Sequence, residues 1–186
     1  MNTLFSHVCV VTMDDRMSVW TDAFVGVTDG KISYLSKHAP EEKPDQIIDA
    51  TGMVLMPGLI NCHTHLPMQL LRGYADDLKL QEWLNDYIFP REDRLDGRCV
   101  RAATTLAVAE CLKFGVTSVS DMYYFCDDIC DVIAKSGMKA NISRGTSMFL
   151  GDDFDFEKFP ACQELVALKE KWHNYDGGRI KIEASI

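Results

Sequence analysis

"VTSVSDMYYFCDDICDVIAKSGMKANISRG", Val116 to Gly145, decides how the chain folds. "VTSVSDM" reads as a strand, "CDDICDVIAKSG" as a helix closed by Gly137, and "KANISRG" as a second strand. The same rhythm runs outward in both directions. Upstream, "GLINC" reads as a short buried strand and "LQEWLNDYIF" as a helix reaching Pro90. A stronger helix follows Asp96, with Val100, Ala103, Ala107, Cys111 and Phe114 on one face, Asp96 as its cap and Gly115 as its stop. Downstream, "FPACQELVALKEKWHNY" reads as a helix and "RIKIEASI" as a strand. Such alternation demands parallel strands covered by helices.

The strands lie near residues 58, 116, 138 and 180. A closed (β/α)8 TIM barrel needs about 250 residues. Residues 56–186 are therefore expected to form about four β/α units, the first half of an α/β barrel, and the chain is expected to be part of something longer. Residues 1–55 read differently. "HVCVVT", "AFVGVT" and "KISYLS" are strands, the last two joined by an Asp29-Gly30 hairpin turn. An acidic loop, "KHAPEEKPDQ", separates them from the extended "IIDATGMVLMPGLINC". This predicts a small antiparallel unit, too short to be a sandwich by itself.

The 186 residues are 47% hydrophobic and 25% charged, an ordinary globular balance. A net charge of -9 supplies no basic stripe, which argues against nucleic acid or an anionic membrane surface and for a small-molecule ligand. Met1 to Val11 lacks the features of a signal peptide, and no apolar run approaches the ~18 residues of a spanning helix, so a cytoplasmic location is expected. Seven cysteines without a CxxC pair suit buried free thiols. Cys126 and Cys130, one helical turn apart, are read as core rather than as metal ligands.

"MPGLINCHTH" places His63 and His65 at the end of the first barrel strand. Residues i and i+2 share one face of a strand, so both imidazoles point together while Thr64 faces away. Two neutral imidazoles can bind one Zn²⁺ or Fe²⁺ at about 2.0–2.1 Å each. The C-terminal end of barrel strands is also where such barrels carry their active sites. Spacing alone leaves open a pair of surface loop histidines.

With the small β unit ahead of it and "LPMQLLRGYADDLKLQEWL" behind it, this stretch resembles the amidohydrolase superfamily. "HTHLPMQLLRGYADDLKLQEWLNDYIFPRE" is similar to the 5-methylthioadenosine/S-adenosylhomocysteine deaminase branch, and the likeness runs through nearly the whole chain. It implies that residues 1–55 belong to a composite β-sandwich. It implies that His63 and His65 are the first two ligands of one zinc ion per subunit, or of iron in its place. It implies that Glu92, in "FPRED", accepts hydrogen bonds from the ribose hydroxyls of a nucleoside. Arg144, in "ISRG", would reach the substrate's tail, where a guanidinium suits a carboxylate. Trp83 would wall the purine pocket. The implied reaction is hydrolytic deamination of adenosine-type nucleosides to inosyl products and ammonia, in a monomer or homo-oligomer. The acid/base group and the remaining ligands are expected beyond Ile186, which leaves residues 1–186 inactive alone.

Read without the resemblance, Glu92 is a solvated helix-end acid, Arg144 a strand-end ion pair and Trp83 core. His7, His38 and His173 read as surface or packing residues, Asp76 and Asp77 as loop acids, and Asp121 as a strand-end acid on the barrel's functional side. "IKIEASI" has Lys181 near its start and no lysine at its end, which favours one metal over a lysine-bridged pair. Competing readings are a triazine hydrolase, a guanine or cytosine deaminase, and a half-barrel binding module without catalysis.

Overall fold

A computed structural model describes residues 1–147 and 153–185. The chain divides into two compact units, Met1–Pro57 and a second from Gly58 onward.

In the first unit, β1 (Thr3–Val11), β2 (Val19–Thr28) and β3 (Lys31–Ser36) form an antiparallel meander. Asp29 and Gly30 both have positive φ, +50° and +74°, the geometry of a type I′ turn. The expectation of a purely antiparallel unit needs correction. β4 (Gln46–Asp49) and β5 (Val54–Leu55) both pair parallel with β1, so the sheet is mixed, in the order β3-β2-β1-β4. The β2–β3 hairpin acts as the crossover that brings the chain back alongside β1 in the same direction. Val8, Val10, Ala23, Val25 and Ala50 make this unit's small core.

The second unit holds β6 (Leu59–Thr64), β7 (Val116–Tyr123), β8 (Lys139–Gly145) and β9 (Ile180–Ser185), all parallel and in sequential order. Sequential order without a reversal is the arrangement of a barrel wall, whereas a doubly wound sheet switches direction partway. A 3₁₀ turn (Leu66–Leu71) follows β6. After it come α1 (Leu80–Glu82), a π-helical stretch (Trp83–Ile88), α2 (Phe89–Glu92) and α3 (Gly97–Lys113). α4 (Cys126–Ser136) connects β7 to β8, and α5 (Pro160–Trp172) precedes β9.

Val100 and Ala107 of α3, Ile129 and Ile133 of α4, and Leu168 and Trp172 of α5 pack with Val119, Ile142, Ile180 and Ile182 of the strands. One face of the sheet is thereby buried. Asp96 caps α3, its carboxylate accepting from the Cys99 N–H at 2.7 Å. Gly115 and Gly137 stop α3 and α4 with φ of +79° and +78°. The Arg179 guanidinium donates to the carbonyls of Ile133, Ala134 and Met138, satisfying the end of α4. Cys126 and Cys130 are buried in the core, and burial raises both thiols above their ordinary pKa.

The first strand, expected to be buried, is exposed from Leu59 to His63. Three further local expectations fail for physical reasons. The helix does not stop at Pro90. Phe89 N–H bonds to Leu84 O, five residues back, and the widened turn carries the chain past the proline to Glu92. Phe114 leaves the apolar stripe of α3 and is 67% exposed, because Phe114 sits at the C-cap, where the helical backbone has already ended; Thr104 and Val108 join the buried face instead. α5 ends at Trp172, since Asn174 has φ +66°.

Candidate functional site

At the end of β6, Thr64 turns toward the buried side and its hydroxyl donates to Asp121 Oδ1 at 2.6 Å. The His63 and His65 rings lie near one another, with centroids 5.2 Å apart. His63 is exposed and His65 half-buried. His65 Nδ1 is 2.6 Å from the Met122 carbonyl oxygen. A carbonyl only accepts, so Nδ1 carries a proton, and in the neutral ring Nε2 then keeps its lone pair. A histidine ligand characteristically has this arrangement, one nitrogen tied to a carbonyl and the other left for the metal. The donor chemistry suits zinc or iron. Among the described residues, however, no third His, Cys, Asp or Glu joins them in one cluster.

Asp121 lies on β7, two residues before its end, and its side chain bonds to Thr64 and Leu66 on either side of His65. It is 1% exposed, and its Oδ1 also accepts from the Leu66 N–H at 2.6 Å. Burial pushes its pKa up to about 6, against the opposing pull of its bonds from Thr64 and Leu66.

Glu92 reaches the site through Tyr123, whose hydroxyl donates to Glu92 Oε1 at 2.6 Å. The Tyr123 ring lies 6.2 Å from that of His65 and 5.2 Å from that of Tyr124. Burial, and then the Glu92 hydrogen bond, raise the Tyr123 hydroxyl far above its ordinary pKa, so it stays a donor. Arg144 stands at the end of β8 with its guanidinium 4.9 Å over the Tyr124 ring, and its Nε donates to Glu164 on α5 at 2.5 Å. Glu92 and Arg144 line one open cavity of about 1150 Å³, together with Phe89, Met122, Tyr124 and Glu164. His63, His65 and Trp83 do not line it; Trp83 sits half-buried on the π-helical stretch. The four residues singled out in the sequence thus fall into two pairs, with Tyr123 touching both.

The sequence reading missed Tyr123, Tyr124 and Glu164. "DMYYF" carried a signal for the first two, since consecutive aromatics at the C-terminal end of a barrel strand face the functional rim. Glu164, one of two acids on α5, carried none. Lys181 donates to Asn174, while His7 pairs with Asp22 at 3.0 Å and the His173 ring meets the Ile182 backbone at 3.1 Å, so these lie in local contacts of their own.

Residues 54–185 match the model of the amidohydrolase family. The chain belongs to the amidohydrolase family. Among its family relatives, a 5-methylthioadenosine/S-adenosylhomocysteine deaminase of Acetivibrio thermocellus is 35% identical over 185 residues, which is 98% of this chain and 42% of the relative. A 5'-deoxyadenosine deaminase of Methanosarcina mazei is 41% identical over 178 residues, covering 96% of this chain and 40% of the relative. Among solved structures, the atrazine chlorohydrolase of Arthrobacter aurescens complexed with zinc superposes with a TM-score of 0.86 at 20% identity, over 98% of this chain and 46% of that one. An adenosine deaminase from Xanthomonas campestris with bound zinc gives a TM-score of 0.83 at 30% identity, over 98% of this chain and 42% of that one. This amidohydrolase chain therefore spans about two fifths of the length of the curated relatives it matches.

Proposed function

We propose that the chain contributes to a metal-dependent hydrolytic deaminase of adenosine-type nucleosides, converting S-adenosylhomocysteine or 5-methylthioadenosine to the inosyl product and ammonia. Its first 55 residues belong in this reading to a composite β-sandwich, and residues 56–186 to the first half of the barrel. The observation that carries it is the His65 Nδ1 contact to the Met122 carbonyl, which leaves Nε2 beside His63 as a donor.

His63 and His65 would hold one zinc or iron ion. When bound, such an ion supplies Lewis-acid activation of water near neutral pH. The protein's own residues bind and orient. Glu92, held by the Tyr123 hydroxyl, accepts from the ribose hydroxyls, and Tyr123 fixes which carboxylate oxygen stays available. Arg144, held over Tyr124, meets the substrate's tail. A catalytic zinc site typically keeps three protein ligands, and two are supplied here. Residues 1–186 are therefore expected to bind zinc weakly and not to turn over alone, whereas a polypeptide that also carries the remaining barrel strands does.

Ammonia release is to be measured for both polypeptides against S-adenosylhomocysteine, 5-methylthioadenosine, 5'-deoxyadenosine, guanine, cytosine and a triazine. Activity confined to free bases or triazines would overturn the nucleoside assignment, and turnover by residues 1–186 would overturn the division of the site.

A further inference from the structure

We propose that Asp121 is the positioning residue of the histidine pair: its carboxylate grips the chain on both sides of His65 and so fixes which nitrogen that ring offers. The metal part of this inference rests on reading His63 and His65 as ligands.

Asp121 is the one buried acidic or basic side chain among the described residues, at 1% exposure. A buried carboxylate is costly, and an apolar residue would fill its position at lower free energy, so its presence calls for an account. Its Oδ1 accepts from Thr64 Oγ1 and from the Leu66 N–H, both at 2.6 Å. Those two residues flank His65. The next residue along β7, Met122, offers its carbonyl to His65 Nδ1 at 2.6 Å. Two consecutive residues of β7 thus hold Thr64, the last residue of β6, and the two residues that follow it.

The β6–β7 register slips between Asn61 and Thr64 and resumes at the Thr64–Asp121 pair, where β6 ends, so strand pairing does not reach His65 and Leu66. The bond from the Leu66 N–H to the Asp121 side chain carries the hold past the strand end. Released from Asp121, residues 64–66 could shift by a fraction of an ångström, the Met122 bond would weaken, and the ring would exchange tautomers. Outer partners of this kind typically set metal affinity within a factor of 10–100.

The test is ¹⁵N NMR of the histidine rings in the metal-free chain, followed by zinc titration read on the same signals. The unsubstituted chain is expected to hold His65 as the Nδ1–H tautomer. Asp121→Ala should mix the tautomers and weaken zinc binding by roughly 10- to 100-fold. Thr64→Val, which keeps the side chain's shape and removes one of the two donors, should move both readouts the same way by less, and Thr64→Ser should restore them. Ile133→Val, a loss of packing in α4, should lower the melting temperature and leave the tautomer alone. Should Asp121→Ala fail to fold, Thr64→Val decides. An unmoved tautomer in the folded variants overturns the positioning role. Absence of zinc binding by the unsubstituted chain overturns the metal reading, which the tautomer readout does not share.

Discussion

Val119, Ile142, Ile180 and Ile182 occupy one face of the parallel sheet and are all buried. Ser118, Ser120, Asn141, Lys181 and Glu183 occupy the other, and none of them is. Among the described residues of that second face, only Ser143 is buried. The first face meets α3, α4 and α5 and supplies cohesion. The second carries a polar network, with Glu183 accepting from both Ser120 and Asn141, beside the histidine pair at the strand ends. Cohesion and the histidine pair are thus set on opposite sides of the same strands. Asp121, Tyr123 and Arg144 share the covered face by register, and Asp121 is a buried carboxylate there whose partners orient a histidine on the other.

Truncating the covered face tests the division most severely. Ile142→Ala is expected to destabilise the second unit by about 2–5 kcal/mol, through lost burial and a residual cavity, as measured by urea unfolding. A loss below about 1 kcal/mol would mean that the helix layer is not the cohesive side.

Asp121 should show its divided character in the pH dependence. Its carboxyl, near 3.9 in an unfolded chain, is raised to about 6 in the fold. Between those values the folded state binds the proton more tightly, so this group's contribution to stability is greatest below about pH 4 and falls as pH rises toward 6, by at most about 3 kcal/mol. Asp121→Asn should flatten that part of the stability profile between pH 4 and 7. An unchanged slope would show that the carboxyl titrates as an ordinary acid.

The smallest effect is expected on the open face. Asn141→Ala removes a donor to Glu183 and should alter stability by no more than about 0.5 kcal/mol. A larger loss would erase the contrast.

Much of this was legible in the sequence because it depends on neighbours in the chain. Asp29-Gly30, Asp96, Gly115 and Gly137 announce turns and caps through local geometry. The β-α alternation announces a parallel sheet because no other arrangement connects such elements. What stayed hidden depends on distant partners. β4 and β5 read as extended, but their parallel pairing with β1 is set by where the hairpin returns the chain. Asp121 reads as an acid at a strand end, and only its partners 55 and 57 positions away give it meaning. Tyr123 is likewise identified by Glu92, 31 positions away. The histidine pair stood out because both of its members lie in one short run.

The π-helical stretch over Trp83–Ile88 has a consequence for how such a site can vary. Each turn of that kind contains one residue more than an α-helical turn. In an ordinary α-helix, deleting one residue swings everything after it through about 100°. Here the wide turn already absorbs the extra residue, so a deletion within it would restore ordinary winding and leave the Glu92 carboxylate facing the Tyr123 hydroxyl. A change of one codon triplet in length can thus be taken up in this segment without re-aiming the acid at the cavity wall, on an unaltered frame.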